Sequence, residues 1–201
     1  MELTAKAEQF KREFVEIYNG KIIRVGDFRL LKWLDEETDF FSAPASTRFH
    51  GSYIGGLCNH SINVYERLMA KCNNIGITST TLAIVSLLHD VCKHDCYIQT
   101  TKNQKNTNGE WVTVPAFEYN KKAFPFGHGE KSVYLINKFM QLSDEEAIAI
   151  RWHMGAYDEA AKGGNATLSQ ALKDYPLAQF LHEADNEASL YDDDLDGDDY
   201  V

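Results

Sequence analysis

The 201 residues are 44% hydrophobic, enough for one sizeable core, and carry a formal net charge of -10. Six aspartates of that excess sit in the closing stretch YDDDLDGDDYV, which leaves -4 on residues 1–190 and argues against a broad nucleic-acid-binding face. No apolar run approaches the ~20 residues that span a bilayer, and MELTAKAEQFKREF lacks the apolar segment of a secretion signal; no membrane partner and a cytoplasmic location are expected.

In chain order, the helical period of apolar residues predicts helices over 2–19 and 28–37, then 59–73 and 79–93. The first pair reads as an N-terminal helical extension, residues 1–45. The stretch FHGSYIGGLCNHS carries His50 in a loop and His60 in the first turn of the third helix. In TTLAIVSLLHDVCKHD an apolar helix runs straight into His89, Asp90 and Lys93, and a buried Asp at that position needs a partner. The next segment, CYIQTTKNQKNTNGEWVTVPAFEY, has β-formers flanking a polar centre with Asn108 and Gly109, and predicts a β-hairpin inserted between Tyr97 and Tyr119. A helix over 128–141 opens with FPFGHGEKS and His128. Another over 143–154 has the capping-box spacing of Ser143 and Glu146, places His153 beside a core-facing stripe and has Gly155 to end it. The last, over 176–190, starts on Pro176 and puts Asp185 on the margin of the apolar face built by Leu177, Phe180, Leu181 and Ala184, with His182 three residues before it. Residues 191–201 read as an acidic disordered tail. Within it DDDLDG matches the opening of a calcium loop but lacks the closing Glu. The four cysteines form no CxxC pair and are expected to be reduced; Cys92, His94 and Cys96 alternate, but no compact second pair completes a zinc site.

Four histidines (His60, His89, His128, His153) and two aspartates (Asp90, Asp185) thus point inward. Neutral imidazoles and carboxylates suit divalent Mn, Fe, Co, Ni or Zn, and six ligands exceed what one tetrahedral ion requires, so one or two ions are expected. Lys93 falls on the face of His89, placed to hold a phosphate oxygen or stabilise developing charge. His50, His182, Arg151 and Lys131 are weaker substrate-binding candidates, each with an ordinary structural alternative.

The order of these residues resembles the HD-domain superfamily of metal-dependent phosphohydrolases. LLHDVCK resembles its hydrophobic run followed by H-D-x-x-K, and FHGSYIGGLCNHS the start of HD domains found in bacterial 3′-to-5′ exoribonucleases and prophage HD proteins. The resemblance covers residues 46–190 and implies an all-α HD-domain helical bundle interrupted by the hairpin. It also implies that His60, His89, Asp90 and Asp185 hold a first metal and that Asp90 bridges to a second held by His128 and His153. The expected reaction is hydrolysis of a phosphate ester or anhydride in a small nucleotide-like substrate by metal-bound hydroxide, with Asp90 and Lys93 catalytic. Extended nucleic acid is not expected as a partner, and a homodimer stays open. Two rivals remain: HD-fold di-iron oxygenases, which use a very similar ligand set on small polyols or phosphonates, and a non-catalytic metal-binding module.

Overall fold

The structure, a computed structural model, describes residues 3–73, 75–164 and 166–193. The N-terminal helices α1 (Ala5–Lys21) and α2 (Asp27–Glu36) start the chain, and the central pair α3 (Gly56–Lys71) and α4 (Ser79–Leu88) follows. Strands β1 (Tyr97–Lys105) and β2 (Trp111–Tyr119) pair antiparallel from Tyr97 opposite Tyr119 to Lys105 opposite Trp111. The chain then forms α5 (His128–Asn137), α6 (Asp144–Trp152), the short α7 (Glu159–Lys162), α8 (Thr167–Asp174) and α9 (Pro176–Tyr191). The fold is therefore mostly helical with a two-stranded insert. Among the described residues no helix is long and apolar enough to cross a membrane.

Seven consecutive residues of α4, Leu82 to Leu88, are buried, because the helix lies at the centre with α1, α3 and α6 around it. Burying each of its leucines contributes roughly 1.5–3 kcal/mol relative to exposure. Helix α9 packs on α3 and α6 through Leu177, Leu181, Ala184 and Ala188, all fully buried; the small alanines bring the backbones close. The N-terminal segment is no separate layer, since Phe10, Phe14, Leu30 and Leu34 belong to the same core as Leu57, Leu87 and Leu181.

Two local features differ from the periodicity reading. The α-helix expected over 79–93 stops at Leu88. His89 is its cap, Asp90 takes φ -107° and ψ 17°, and Val91–Lys93 form one 3-10 turn. Neighbours on an α-helix project about 100° apart, so this break lets His89 and Asp90 face one cluster together. At the other end, the expected tail does not begin at 191. Tyr191 still lies in α9, and Asp193 is buried; the rest of the calcium-loop-like stretch, 194–201, lies outside the described residues. Helices α7 and α8 had no expectation attached to them, because GAYDEAAKGGNATLSQ has little apolar periodicity.

The capping box of α6 is present. Ser143 accepts from the Glu146 backbone N–H, and the Glu146 carboxylate accepts from the Ser143 N–H at 2.9 Å. Glu146 also receives Arg24 through both guanidinium nitrogens and the Thr81 hydroxyl, fixing the start of α6 to α4 and to the α1–α2 connection.

Candidate metal centre

Three of the histidines are set by helix ends. His89 caps α4 and His153 caps α6; each places Nδ1 against the carbonyl three residues earlier, Ser86 at 2.7 Å and Ile150 at 2.6 Å. A carbonyl only accepts, so both rings carry the proton on Nδ1 and turn the Nε2 lone pair inward. His60 sits in the first turns of α3, where Gly56 passes so close to the Gly51 carbonyl that an added Cβ would lie 2.0 Å from its oxygen. Its Nδ1 faces Asp193 at 2.8 Å, leaving Nε2 inward as well. His128 opens α5 directly after Gly127.

These atoms converge on Asp90, whose side chain is 2% exposed. One carboxylate oxygen, Oδ2, lies 3.6 Å from His60 Nε2 and 3.4 Å from His89 Nε2, while Asp185 Oδ1 lies 3.1 Å and 4.0 Å from the same two nitrogens. The other oxygen, Oδ1, lies 2.8 Å from His128 Nε2 and 3.5 Å from His153 Nε2. Asp90 thus faces two donor sets at once. The triplets His60–His89–Asp90, His89–His153–Asp185 and Asp90–His128–His153 each bring their ligand atoms within 4.8 Å of one another, close enough for a divalent ion. All six residues expected as ligands are brought together.

The bare residues fit such ions on a further count. His153 Nε2 is buried and has no hydrogen-bond partner among the described residues, an arrangement a cation relieves. Charge agrees with it. Burial works against ionised Asp90 and Asp185, yet Lys93, His89 and His128 hold Asp90, and His60 and His89 hold Asp185, well below the usual carboxylate range. Burial likewise opposes a charged His60, but Asp193 and Asp185 outweigh it and push the imidazole up to about 10. At neutral pH the metal-free His60 is therefore favoured in its protonated form, and an ion bound at its Nε2 must displace that proton.

The centre opens into a cleft of about 1870 Å³ that Asp90, His128 and Asp185 help to line. Lys93, 12% exposed, reaches Asp90 Oδ2 at 2.7 Å and lines the same cleft. His50 also lines it; its buried Nε2 lacks a partner among the described residues, and burial, with Lys93 and His60 nearby, pushes its pKa down to about 4. His182 lines it too, its Nδ1 donating to the His153 carbonyl at 2.6 Å over Gly155, where a Cβ would strike the ring at 2.7 Å. Residue 155 takes φ +53°, so glycine serves both the turn and the close approach.

Arg151 and Lys131, read from sequence as phosphate contacts, are engaged elsewhere and are absent from the cleft lining. Lys131 is buried and donates to the Cys92 carbonyl at 2.5 Å. Arg151 pairs with Asp158 at 2.8 Å and Glu130 at 2.5 Å and lies over the Trp152 ring. Arg151, two residues before His153, points away from it on the helix, whereas Lys131, three after His128, shares its face but is taken up by the Cys92 carbonyl, so proximity along the chain misleads in both cases. Sequence reasoning missed Arg48 and Lys162, which line the cleft from a loop and from α7, and Asp193, which was assigned to the tail. Only the local acidity around Asp193 marked it, with nothing to separate it from the aspartates beside it. Comparison of the chain with protein-family models, curated proteins and solved structures returns no match.

Proposed function

We propose that this chain is a metal-dependent phosphohydrolase of HD-domain type that cleaves a phosphate ester or anhydride in a small nucleotide-like substrate. The observation that carries the reading is the division of Asp90, whose two oxygens face separate histidine sets, His60 with His89 and His128 with His153. A carboxylate so placed suits a bridge between two cations. His60, His89, Asp90 and Asp185 would hold one ion, and Asp90, His128 and His153 the other. Ions held there supply Lewis acidity and a water that is nucleophilic at neutral pH.

The chain's own residues bind and orient. Lys93 stands at the cleft floor beside Asp90, where its ammonium meets a phosphoryl oxygen. Arg48, Lys102 and Lys162 line the cleft from three different segments and hold further phosphate charge. Phe49 and Tyr157, exposed aromatics on the same lining, offer flat faces to a base. The hairpin forms one wall through Gln99, Lys102, Val114 and Phe117, so it restricts water as well as substrate. His182 fixes its tautomer through the His153 carbonyl and keeps Nε2 for the substrate. The cationic residues are few and local, which favours one or two phosphates over a long backbone.

The test is a screen of phosphate mono- and diesters and nucleotides with Mn, Co or Ni added. Metal-dependent release of phosphate or nucleoside product that disappears in Asp90→Ala supports the reading. Turnover that survives Asp90→Ala, or substrate-dependent oxygen uptake by iron-loaded protein with no hydrolysis, overturns it.

A further inference from the structure

Asp193 is a buried carboxylate outside the six ligands, 1% exposed, and both of its oxygens are taken. Oδ2 accepts from His60 Nδ1 at 2.8 Å, and Oδ1 accepts from the Asn63 side-chain amide at 2.9 Å. The residue before it is held on the same helix. Arg67 donates to both Asp192 carboxylate oxygens at 2.7 and 2.6 Å, and Asn63 donates to the Asp192 carbonyl at 3.2 Å. His60, Asn63 and Arg67 are spaced three and four residues apart on α3, one ridge that leads from the metal centre to the helix surface. The end of α9 therefore closes back along α3 and finishes on the far nitrogen of a ligand histidine.

His89 and His153 rest their Nδ1–H groups on backbone carbonyls, which are neutral acceptors. His60 alone of these three rests on a carboxylate. A carboxylate behind a ligand imidazole fixes the ring, forces the proton onto Nδ1 and makes Nε2 a stronger donor; loss of such a partner typically weakens metal affinity about 10–100-fold. Resting on the metal-centre reading, we infer that Asp193 is a positioning residue for His60, and that docking of Asp192 and Asp193 on α3 is linked to loading of the first ion. Linkage is reciprocal, so the ion also holds this end of the chain in place.

The experiment uses the full chain and Zn²⁺ in competition with a chromophoric chelator, with ions per chain counted by elemental analysis. Asp193→Ala is expected to weaken the ion held by His60 by about 10-fold or more. Asp193→Asn, which keeps an acceptor oxygen but loses the charge, should weaken it less and guards against a fold that fails in the alanine variant. Arg67→Ala removes the hold on Asp192 without touching His60 and should give a smaller loss in the same direction. On a His60→Ala background, Asp193→Asn should change affinity no further. Unaltered Zn²⁺ affinity in Asp193→Asn and Asp193→Ala, with only the metal-free melting temperature lowered, makes the contact structural and overturns the inference. His50, His60 and Asp193 also bring their ligand atoms within 4.8 Å of one another, so loss of one whole ion in Asp193→Asn with the other bound at full strength makes Asp193 a ligand and overturns it too. Wild-type protein that takes up no metal refutes the metal centre itself, a separate failure visible before any variant is made.

Discussion

Replacing Glu146 by alanine removes four hydrogen bonds that tie the start of α6 to its surroundings: two from Arg24, at 2.5 and 2.9 Å, one from Thr81 at 3.1 Å and one from the Ser143 N–H at 2.9 Å. Bonds to a charged group contribute about 1.5–3 kcal/mol each. They do not add here, because Arg24 is 28% exposed, keeps the Gln141 carbonyl at 3.2 Å and recovers part of its hydration. The expected cost is about 3 kcal/mol, the lower end for breaking a buried ion pair by deleting one partner. At this chain length that lowers the melting temperature by roughly 6–12 °C. Urea unfolding at pH 7 should show the midpoint falling at constant slope. Burial favours the neutral acid, but Arg24 and the Ser143 N–H hold the Glu146 carboxyl below its usual range. A depressed pKa contributes stability above the unfolded value, near 4.3, and loses it as pH falls through the folded one. The difference between wild type and Glu146→Gln should therefore be constant from pH 7 to about 5 and shrink below about 4. Stability of Glu146→Gln within about 0.5 kcal/mol of wild type at pH 7, or a gap unchanged down to pH 3, refutes this account of how α6 is anchored.

His128→Ala should deplete the ion shared by Asp90, His128 and His153 more than the one near His60, since of the two Asp90 oxygens His128 pairs with Oδ1, on the side away from His60 and His89; equal loss of both in elemental analysis contradicts the division. Deleting Lys102 to Gly109 shortens the hairpin wall and should change the Michaelis constant or substrate preference at unchanged metal content, whereas unchanged kinetics exclude the hairpin from the cleft's work. Across a salt series, affinity for a mononucleotide should fall with a log–log slope of about -1 to -2; a steep slope together with preference for single-stranded RNA or DNA would move the substrate to oligonucleotides.

The hairpin from Tyr97 to Tyr119 was legible because its β-formers and Asn–Gly centre leave a short strand pair few alternatives, and Ser143–Glu146 announced the start of α6 because capping is local chemistry. Convergence of His60, His89, Asp90, His128, His153 and Asp185 was legible from placement at helix starts, ends and margins, where a side chain can turn toward a common point. The break after Leu88 was not. Nothing in LLHDVCK stops a helix, and the 3-10 turn exists because Asp90 is held by groups from α5, α6 and its own turn, contacts distant in sequence. Asp193 stayed hidden for a related reason: an aspartate among aspartates carries no pattern, and only the return of α9 along α3 selects it. Lys131 and Arg151 show the converse, with charge near the ligands in sequence but partners elsewhere in space.

The most direct measurement of the central claim is elemental analysis of protein purified without chelator, alongside Asp90→Ala prepared identically. Two donor sets sharing Asp90 predict one to two transition-metal ions per chain in the wild type, with proton release when metal-stripped protein is reloaded at pH 7, and sharply reduced content in Asp90→Ala. Wild-type protein that is metal-free yet hydrolyses its substrate fully, or Asp90→Ala that retains the wild-type complement of ions, would contradict it.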